Sequence, residues 1–217
     1  MDRFDLEIIS CKNCKRLIEY ANDVKENGRK VGYEVDEYWC KPVPSFGPID
    51  AELLIVGLAP GTHGAGRTGR PFTGDYAGEL LYETLYEFSM CNKSKSMNNK
   101  DGLELKNVRI SNAVRCAPPK NKPTTEEVTN CSDFLVEEIC MMNNLKTILA
   151  LGGLAHRAVL RTMSLKQSRY PFSHGAEHEL DEKNWKLVDS YHPSRYNLNT
   201  GRLDAKMFKD VFKVLKR

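Results

Sequence analysis

The sequence predicts an α/β protein, a parallel β-sheet with helices packed on both faces. Three observations carry this expectation. Four short apolar runs bounded by turn residues recur along the chain. Amphipathic helical patterns lie between them. The clearest run is continuously apolar rather than alternating, as in strands buried on both faces. A chain of 217 residues, 41% hydrophobic and 28% charged, can bury a substantial core, so one domain over 1–217 is expected.

Leu53–Ala59 (LLIVGLA) reads as the first strand, stopped by Pro60 and Gly61. Tyr76–Phe88 places Leu80, Leu81, Leu85 and Phe88 on one face and reads as a helix. Val108–Val114 (VRISNAV) is the second strand. Thr125 is expected to cap the next helix, with Glu126 and Glu127 complementing its dipole. Thr147–Leu151 (TILAL) and Lys186–Ser190 (KLVDS) are the third and fourth strands, and Leu154–Met163 and Leu203–Leu215 the remaining helices. The Lys-, Asn- and Ser-rich stretch Cys91–Gly102 reads as a flexible surface loop. There is no internal repeat.

No apolar run approaches the ~18–20 residues of a membrane span. The N-terminal MDRFDLEII is charged where a signal peptide is apolar, so a cytoplasmic protein is expected. Net charge is only +3, but its distribution is uneven. Residues 93–122 hold eight Lys/Arg against two acids, and His192–Arg217 hold seven against Asp204 and Asp210. Such blocks suit a polyanion-binding face, or equally a solvated surface.

Seven cysteines in an intracellular-type chain suit metal ligation better than disulfides. Cys11 and Cys14 form C-x-x-C at the start of a helical pattern, Cys116 follows a strand and Cys131 sits in a helix. A two-plus-two set of this kind can hold zinc or an iron–sulfur cluster. Cys140, on the apolar side of EEICMM, is expected to be a small buried hydrophobe. Cys40 and Cys91 have no partner spacing.

Ligands of such folds bind at the carboxyl ends of the strands. Gly61–Thr68 (GTHGAGRT) nearly matches the phosphate-binding G-x-x-x-x-G-K-[ST], with Arg67 in the lysine position. Gly69-Arg70-Pro71 then interrupts the helix that a phosphate loop requires. Phe72 beside Asp75, on a loop with Arg67 and Arg70, can instead stack a planar base next to a charge. Asp75 can equally be a helix N-cap.

GLAPGTHGAGRTGRPFTGD (57–75), SNAVRCAPPKNKP (111–123) and HPSRYNLNTGRL (192–203) together resemble the uracil-DNA glycosylase superfamily, specifically its fifth family, type b. The resemblance runs from Cys11 to Leu203. It implies a three-layer α/β/α sandwich around a four-stranded parallel sheet, and removal of damaged bases from DNA. It also implies a structural [4Fe–4S] cluster held by Cys11, Cys14, Cys116 and Cys131. Better-known families carry an acid after the first glycine or before the proline; Gly57-Leu58-Ala59-Pro60 has apolar side chains at both places. This departure fits the fifth family, shifts the carboxylate role to Asp75 and argues against strict uracil specificity.

Cleaving an N-glycosidic bond places positive charge on the sugar and negative charge on the departing base, after the base has left the stack. His192 is assigned to the base, donating to an oxygen that becomes anionic. Asp75 is assigned to the sugar and the attacking water. Asn112, with donor and acceptor, reads the base edge or holds the water. Phe72 stacks on the extruded ring, Gly57 and His63 complete the base site, and His156 begins a helix whose amides can meet a phosphate. Tyr196 is the residue chosen to wedge into the duplex, with Leu198 next. Arg195, Arg202, Lys120 and Lys122 are assigned to phosphates. The expected partner is single- or double-stranded DNA carrying uracil or other deaminated bases such as hypoxanthine, bound by a monomer. The alternatives are a non-enzymatic iron–sulfur nucleic-acid-binding protein and a P-loop-like nucleotide hydrolase.

Overall fold

The computed structural model describes residues 3–180 and 184–215. Helices α1 (Arg3–Ser10) and α2 (Lys15–Glu26) lead, on either side of the C-x-x-C. Strand β1 (Leu53–Gly57) is buried along its whole length. A single helical turn, α3 (Ala65–Thr68), is closed by left-handed Gly69. Helix α4 (Tyr76–Glu87), strand β2 (Val108–Asn112), helix α5 (Thr125–Met141), strand β3 (Thr147–Leu151) and helix α6 (Gly153–Thr162) follow. Strand β4 (Glu177–Leu180), strand β5 (Trp185–Ser190) and helices α7 (Arg195–Asn199) and α8 (Ala205–Val214) complete the described chain.

The sheet order is β2-β1-β3-β5-β4. The four expected strands are mutually parallel, and β4 adds a fifth, antiparallel to β5. The four-stranded expectation is therefore short by one edge strand. EHEL alternates charged and weakly apolar residues and lies half-exposed, so it lacks the apolar run that marks the buried strands. The expected first two strands end two residues early, at Gly57 and Asn112. Ala113 and Val114 still donate to the carbonyls of Gly57 and Leu58.

Strand alternation divides the apolar residues between two cores. Ile55 and Ile110 pack with Leu81 and Leu85 of α4 and Phe208 and Phe212 of α8. Leu54, Val56 and Ile148 pack on the other face with Leu135 of α5 and Val159 of α6. The three-layer α/β/α arrangement follows. Helix starts are capped by side chains: Asp75 accepts from Gly78 N–H, Ser194 from Asn197 N–H and Asp204 from Met207 N–H. Helix α5 opens on a reciprocal Thr124–Glu127 capping box, one residue before the expected cap Thr125.

Other expectations change. Cys140 is exposed, on the outer side of α5. The stretch from Cys91 to Gly102 is pinned: Asp101 accepts from Arg70 Nη1 at 2.8 Å and from the amides of Met97 and Leu103. Arg109 and Arg115 of the first basic block are buried, so that block is not one continuous basic face. Among the described residues no helix is long and apolar enough to cross a membrane.

Candidate functional site: a cleft at the carboxyl ends of the strands

A cleft of about 500 Å³ opens where β1, β2, β3 and β5 end. Phe72, Asp75, Asn112 and His192 all line it, although they come from three separate stretches of sequence. Asn112 ends β2 and pairs in register with Gly57 at the end of β1. Gly57 is required there. A Cβ on it would lie 2.5 Å from Asn112 Oδ1 and 2.7 Å from Phe72 Cζ. Phe72 itself is buried and held at φ +52°, a left-handed conformation that is costly for an aromatic residue.

The imidazole of His192 stacks on Phe72 with ring centres 5.9 Å apart and planes 28° apart. Burial lowers its pKa to about 4, so the ring is neutral at physiological pH. Asn197 Nδ2 and Ser194 N–H both donate to the His192 carbonyl, fixing the backbone from which the ring projects. Among the described residues, neither the ring nitrogens of His192 nor the Asn112 side-chain amide has a hydrogen-bond partner in the protein. Polar groups held at a cleft in this condition are available to a ligand.

Asp75 both caps a helix and lines the cleft. Its Oδ1 caps α4, accepting from Gly78 N–H at 2.9 Å, while its Oδ2 faces the turn at Gly61 and Gly64. A Cβ on Gly64 would stand 2.6 Å from Oδ2, so the Gly-rich loop is shaped around this carboxylate. Burial raises the Asp75 pKa, partly opposed by the amides of Gly78 and Ala77. A carboxylate inside the loop disfavours a phosphate there, and α3 is one turn long; both features oppose the P-loop reading.

Several candidates lie elsewhere. His63 is outside the cleft lining, with Nδ1 3.1 Å from Tyr38 Oη. Arg67 pairs with Asp36 and lies over Tyr33, and Arg70 pairs with Asp101 and lies over Phe46, so neither charge sits beside the cleft. His156 does begin a helix, but its side chain is 2% exposed and turned inward. It holds Asp189 Oδ1 at 2.7 Å and the Tyr170 carbonyl at 2.9 Å, while His178 holds Asp189 Oδ2. The 2.7 Å contact accommodates a proton and not a metal ion, whose neighbouring ligand atoms stand about 3.3 Å apart at tetrahedral geometry. Leu198 is partly buried and packs against the core. Tyr196 is 72% exposed. Arg195 and Arg202 border the cleft, stacked over Tyr76 and Tyr191. Lys120 and Lys122 are exposed on either side of Asn121, which lines it.

Sequence reasoning missed Tyr76, Leu154, Phe172 and Tyr191, all in the lining. Tyr76 and Leu154 sit inside segments already recognised as loop ends or helix starts. Phe172 carries no sequence signal.

The four predicted cysteines converge. Cys11, Cys14, Cys116 and Cys131 line one hollow between the N-terminal helices and α5, and all are free thiols. Arg115 N–H donates to Cys131 Sγ at 3.3 Å and Asn130 Nδ2 to Cys14 Sγ at 3.9 Å. Burial pushes the Cys116 thiol up strongly, and the other three thiols add to the effect. Among the described residues, the group of possible ligands whose atoms lie within 4.8 Å of one another is His156, His178 and Asp189; the cysteines are set wider. Four soft donors, two of which receive N–H···S bonds, in a hollow with no carboxylate in its lining, fit a thiolate-bound metal group.

The fold and cleft define an α/β protein with a ligand site at the carboxyl edge of a mostly parallel sheet. A profile of the uracil DNA glycosylase superfamily matches residues 44–216. The type-5 uracil-DNA glycosylase of Thermus thermophilus is 43% identical over 219 residues, covering 100% of this chain and 98% of its own. That of Pyrobaculum aerophilum is 41% identical, covering 98% and 90%. The type-4 enzyme of Sulfurisphaera tokodaii is 29% identical, covering 97% and 83%. The chain belongs to the uracil DNA glycosylase superfamily, among its type-5 members.

Proposed function

We propose that this protein is a DNA glycosylase that hydrolyses the N-glycosidic bond of uracil in DNA and leaves an abasic site. The observation that carries the reading is the convergence of Phe72, Asp75, Asn112 and His192 on one cleft, with the Asn112 amide and His192 ring unengaged among the described residues. The C1′–N bond breaks with its electron pair going to the base. Neutral His192 donates to the base oxygen on which that charge settles, where burial strengthens the bond. Asp75 offsets the cationic sugar and takes a proton from the water that adds to C1′. Phe72 stacks on the base, and Asn112 hydrogen-bonds its edge or the water.

Other deaminated bases such as hypoxanthine are proposed as further substrates. Support comes from the apolar Leu58 and Ala59, which provide no base-reading side-chain polar group, and from a cleft volume ample for a purine. Arg195, Arg202, Lys120 and Lys122 meet phosphates, and Tyr196 contacts DNA beside the lesion. The protein works as a monomer on intracellular DNA.

We further propose that Cys11, Cys14, Cys116 and Cys131 hold a [4Fe–4S] cluster that ties the N-terminal helices to the sheet; the chemistry it supplies is structural ligation. Protein purified without oxygen is expected to be brown, with iron and sulfide in stoichiometric amounts. Colourless protein carrying zinc instead would overturn the cluster. The glycosylase reading is tested by incubating the protein with oligonucleotides containing one uracil, hypoxanthine or undamaged base and scoring abasic sites. Abasic sites at uracil are expected, and their absence would refute the reading.

A further inference from the structure

A charge taken out of water is stable only where an opposite charge or a full set of hydrogen bonds meets it. The interior between β2 and α5 holds two guanidinium groups, of Arg109 and Arg115, against the one carboxylate of Glu138. Arg115 is the deeper of the two, at 1% exposed. Its Nη2 donates to Glu138 Oε2 and its Nη1 to Ser45 Oγ, each at 2.6 Å. Arg109 takes the other carboxylate oxygen through Nε and the Gly47 carbonyl through Nη1. Among the described residues neither arginine has a second acidic partner, so the set carries one positive charge in excess. Arg115 Nε and Arg109 Nη2 are buried without a hydrogen-bond partner there.

The two arginines differ in what lies beside them. Arg109 is not in the lining of the hollow formed by Cys11, Cys14, Cys116 and Cys131, whereas Arg115 is, as the one cation among the described residues there. Arg115 immediately precedes Cys116, and its backbone N–H already donates to Cys131 Sγ at 3.3 Å. The neighbouring Arg16 is taken up by Glu127, at 2.7 and 2.6 Å. A divalent core held by four thiolates keeps two net negative charges, whether the core is zinc or iron–sulfur. The excess positive charge and the open N–H of Arg115 therefore stand at the wall of the hollow that such a group would make negative.

We propose that the Arg115 guanidinium is a counter-charge of the metal group bound by Cys11, Cys14, Cys116 and Cys131, with Nε–H as its open donor. This rests on the reading of those cysteines as a metal site. Arg115 is a positioning residue there: its charge opposes loss of the anionic group, and Glu138 and Ser45 hold that charge in place. Glu138 supports the fold but, as an acid, works against the metal group electrostatically.

The test follows metal content, and the rate of metal transfer from the purified holoprotein to a chromogenic chelator in native buffer. Wild type is compared with Arg115→Met, Arg115→Lys, Arg109→Met and Glu138→Gln, with urea unfolding of each as the measure of stability. Arg115→Met should release metal roughly 10- to 100-fold faster, the scale on which outer-shell partners change metal affinity. Arg115→Lys, which keeps the charge, should recover most of that loss. Arg109→Met removes the other guanidinium from Glu138 without touching the hollow, and should stay close to wild type in metal release. Glu138→Gln removes a negative charge, so it should weaken the fold yet hold metal at least as firmly as wild type. An arginine that served the fold alone predicts otherwise, with metal loss rising in step with instability across all four variants. Wild-type release from Arg115→Met, or faster release from Glu138→Gln, would overturn the proposal. If Arg115→Met does not fold, the direction of the change in Glu138→Gln decides it. Metal-free wild type would overturn the metal-site reading and this inference together. Zinc in place of iron would remove the cluster alone and leave the role of Arg115 to the same comparison.

Discussion

Two buried polar regions flank β2, and they are built in opposite ways. On one face Arg109 and Ser111 meet Glu138 of α5, which is wholly buried. Its Oε1 accepts from Arg109 Nε at 2.5 Å, and its Oε2 from Ser111 Oγ and Arg115 Nη2, each at 2.6 Å. Despite burial, the two guanidinium groups hold this carboxyl at about 2. On the other face the next residue, Asn112, is 2% exposed and its amide has no hydrogen-bond partner among the described residues. Successive residues of one strand therefore serve different ends, because their side chains leave on opposite sides of the sheet. Polar groups engaged with one another build the architecture; polar groups left open at a cleft await a ligand.

Breaking the engaged side has the largest expected effect. Glu138→Ala leaves Arg109 and Arg115 buried without a counter-charge, and should cost about 3–5 kcal/mol in urea unfolding. Cleavage by the fraction that remains folded should hardly change. A large fall in kcat without a fall in stability would contradict the division between the two faces.

Asp75→Asn addresses the open side. Asparagine caps a helix as well as aspartate does, so α4 should persist. Single-turnover cleavage should nevertheless fall by roughly 10²-fold, the scale of an acid–base group. Near-normal cleavage would reduce Asp75 to a cap.

The ionisation of the cleft sharpens the contrast. Burial raises the Asp75 pKa above its unfolded value, so the folded state is penalised at neutral pH. Asp75→Asn should therefore be more stable than wild type at pH 7, and the gain should vanish as pH falls through the raised folded pKa towards the unfolded one. His192 is displaced the other way, to about 4 by burial. The unfolded chain takes up that proton first, so stability declines as pH drops from about 6.5 towards 4, and His192→Ala should flatten that decline. On the proposed mechanism, in which Asp75 acts ionised and His192 neutral, wild-type cleavage should have an acid limb above the ordinary aspartate range and no limb from His192 near neutrality.

The smallest effect belongs to the rim. Arg195→Ala should weaken binding to damaged and undamaged DNA alike and reduce the slope of log Kd against log salt by about one. A loss confined to damaged DNA would move Arg195 from phosphate contact to base recognition.

The strands were legible because continuous apolar runs have few other uses, and the cleft because Gly57, Asn112 and His192 sit where those runs stop and Asp75 opens the helix that follows the first. The strand Glu177–Leu180 was not, since a half-exposed edge strand shares its pattern with a loop. The side chain of His156 was illegible for a related reason: position at a helix start is a sequence property, whereas the inward turn towards Asp189 depends on β5, 33 residues later. The pairing of Arg67 with Asp36 and of Arg70 with Asp101 joins segments about 30 residues apart, and nothing local announces it. Cys140 shows the limit of helical periodicity, because a one-position error in phase moves a residue from the core to water.

The fifth strand has a consequence for how copies of this protein behave when crowded. Without it, β5, which carries His192 at its end, would present a row of free amides to any neighbouring chain. β4 covers that row with four residues, two of them the exposed acids Glu177 and Glu179. At the opposite border Phe46 exchanges both backbone hydrogen bonds with Ile110, at 2.9 and 2.7 Å, and blunts β2. With a short, acid-bearing strand at one border and the Phe46 bridge at the other, the folded sheet is a poor template for strand addition, so concentrated folded protein should resist edge-to-edge growth as long as β4 stays in place.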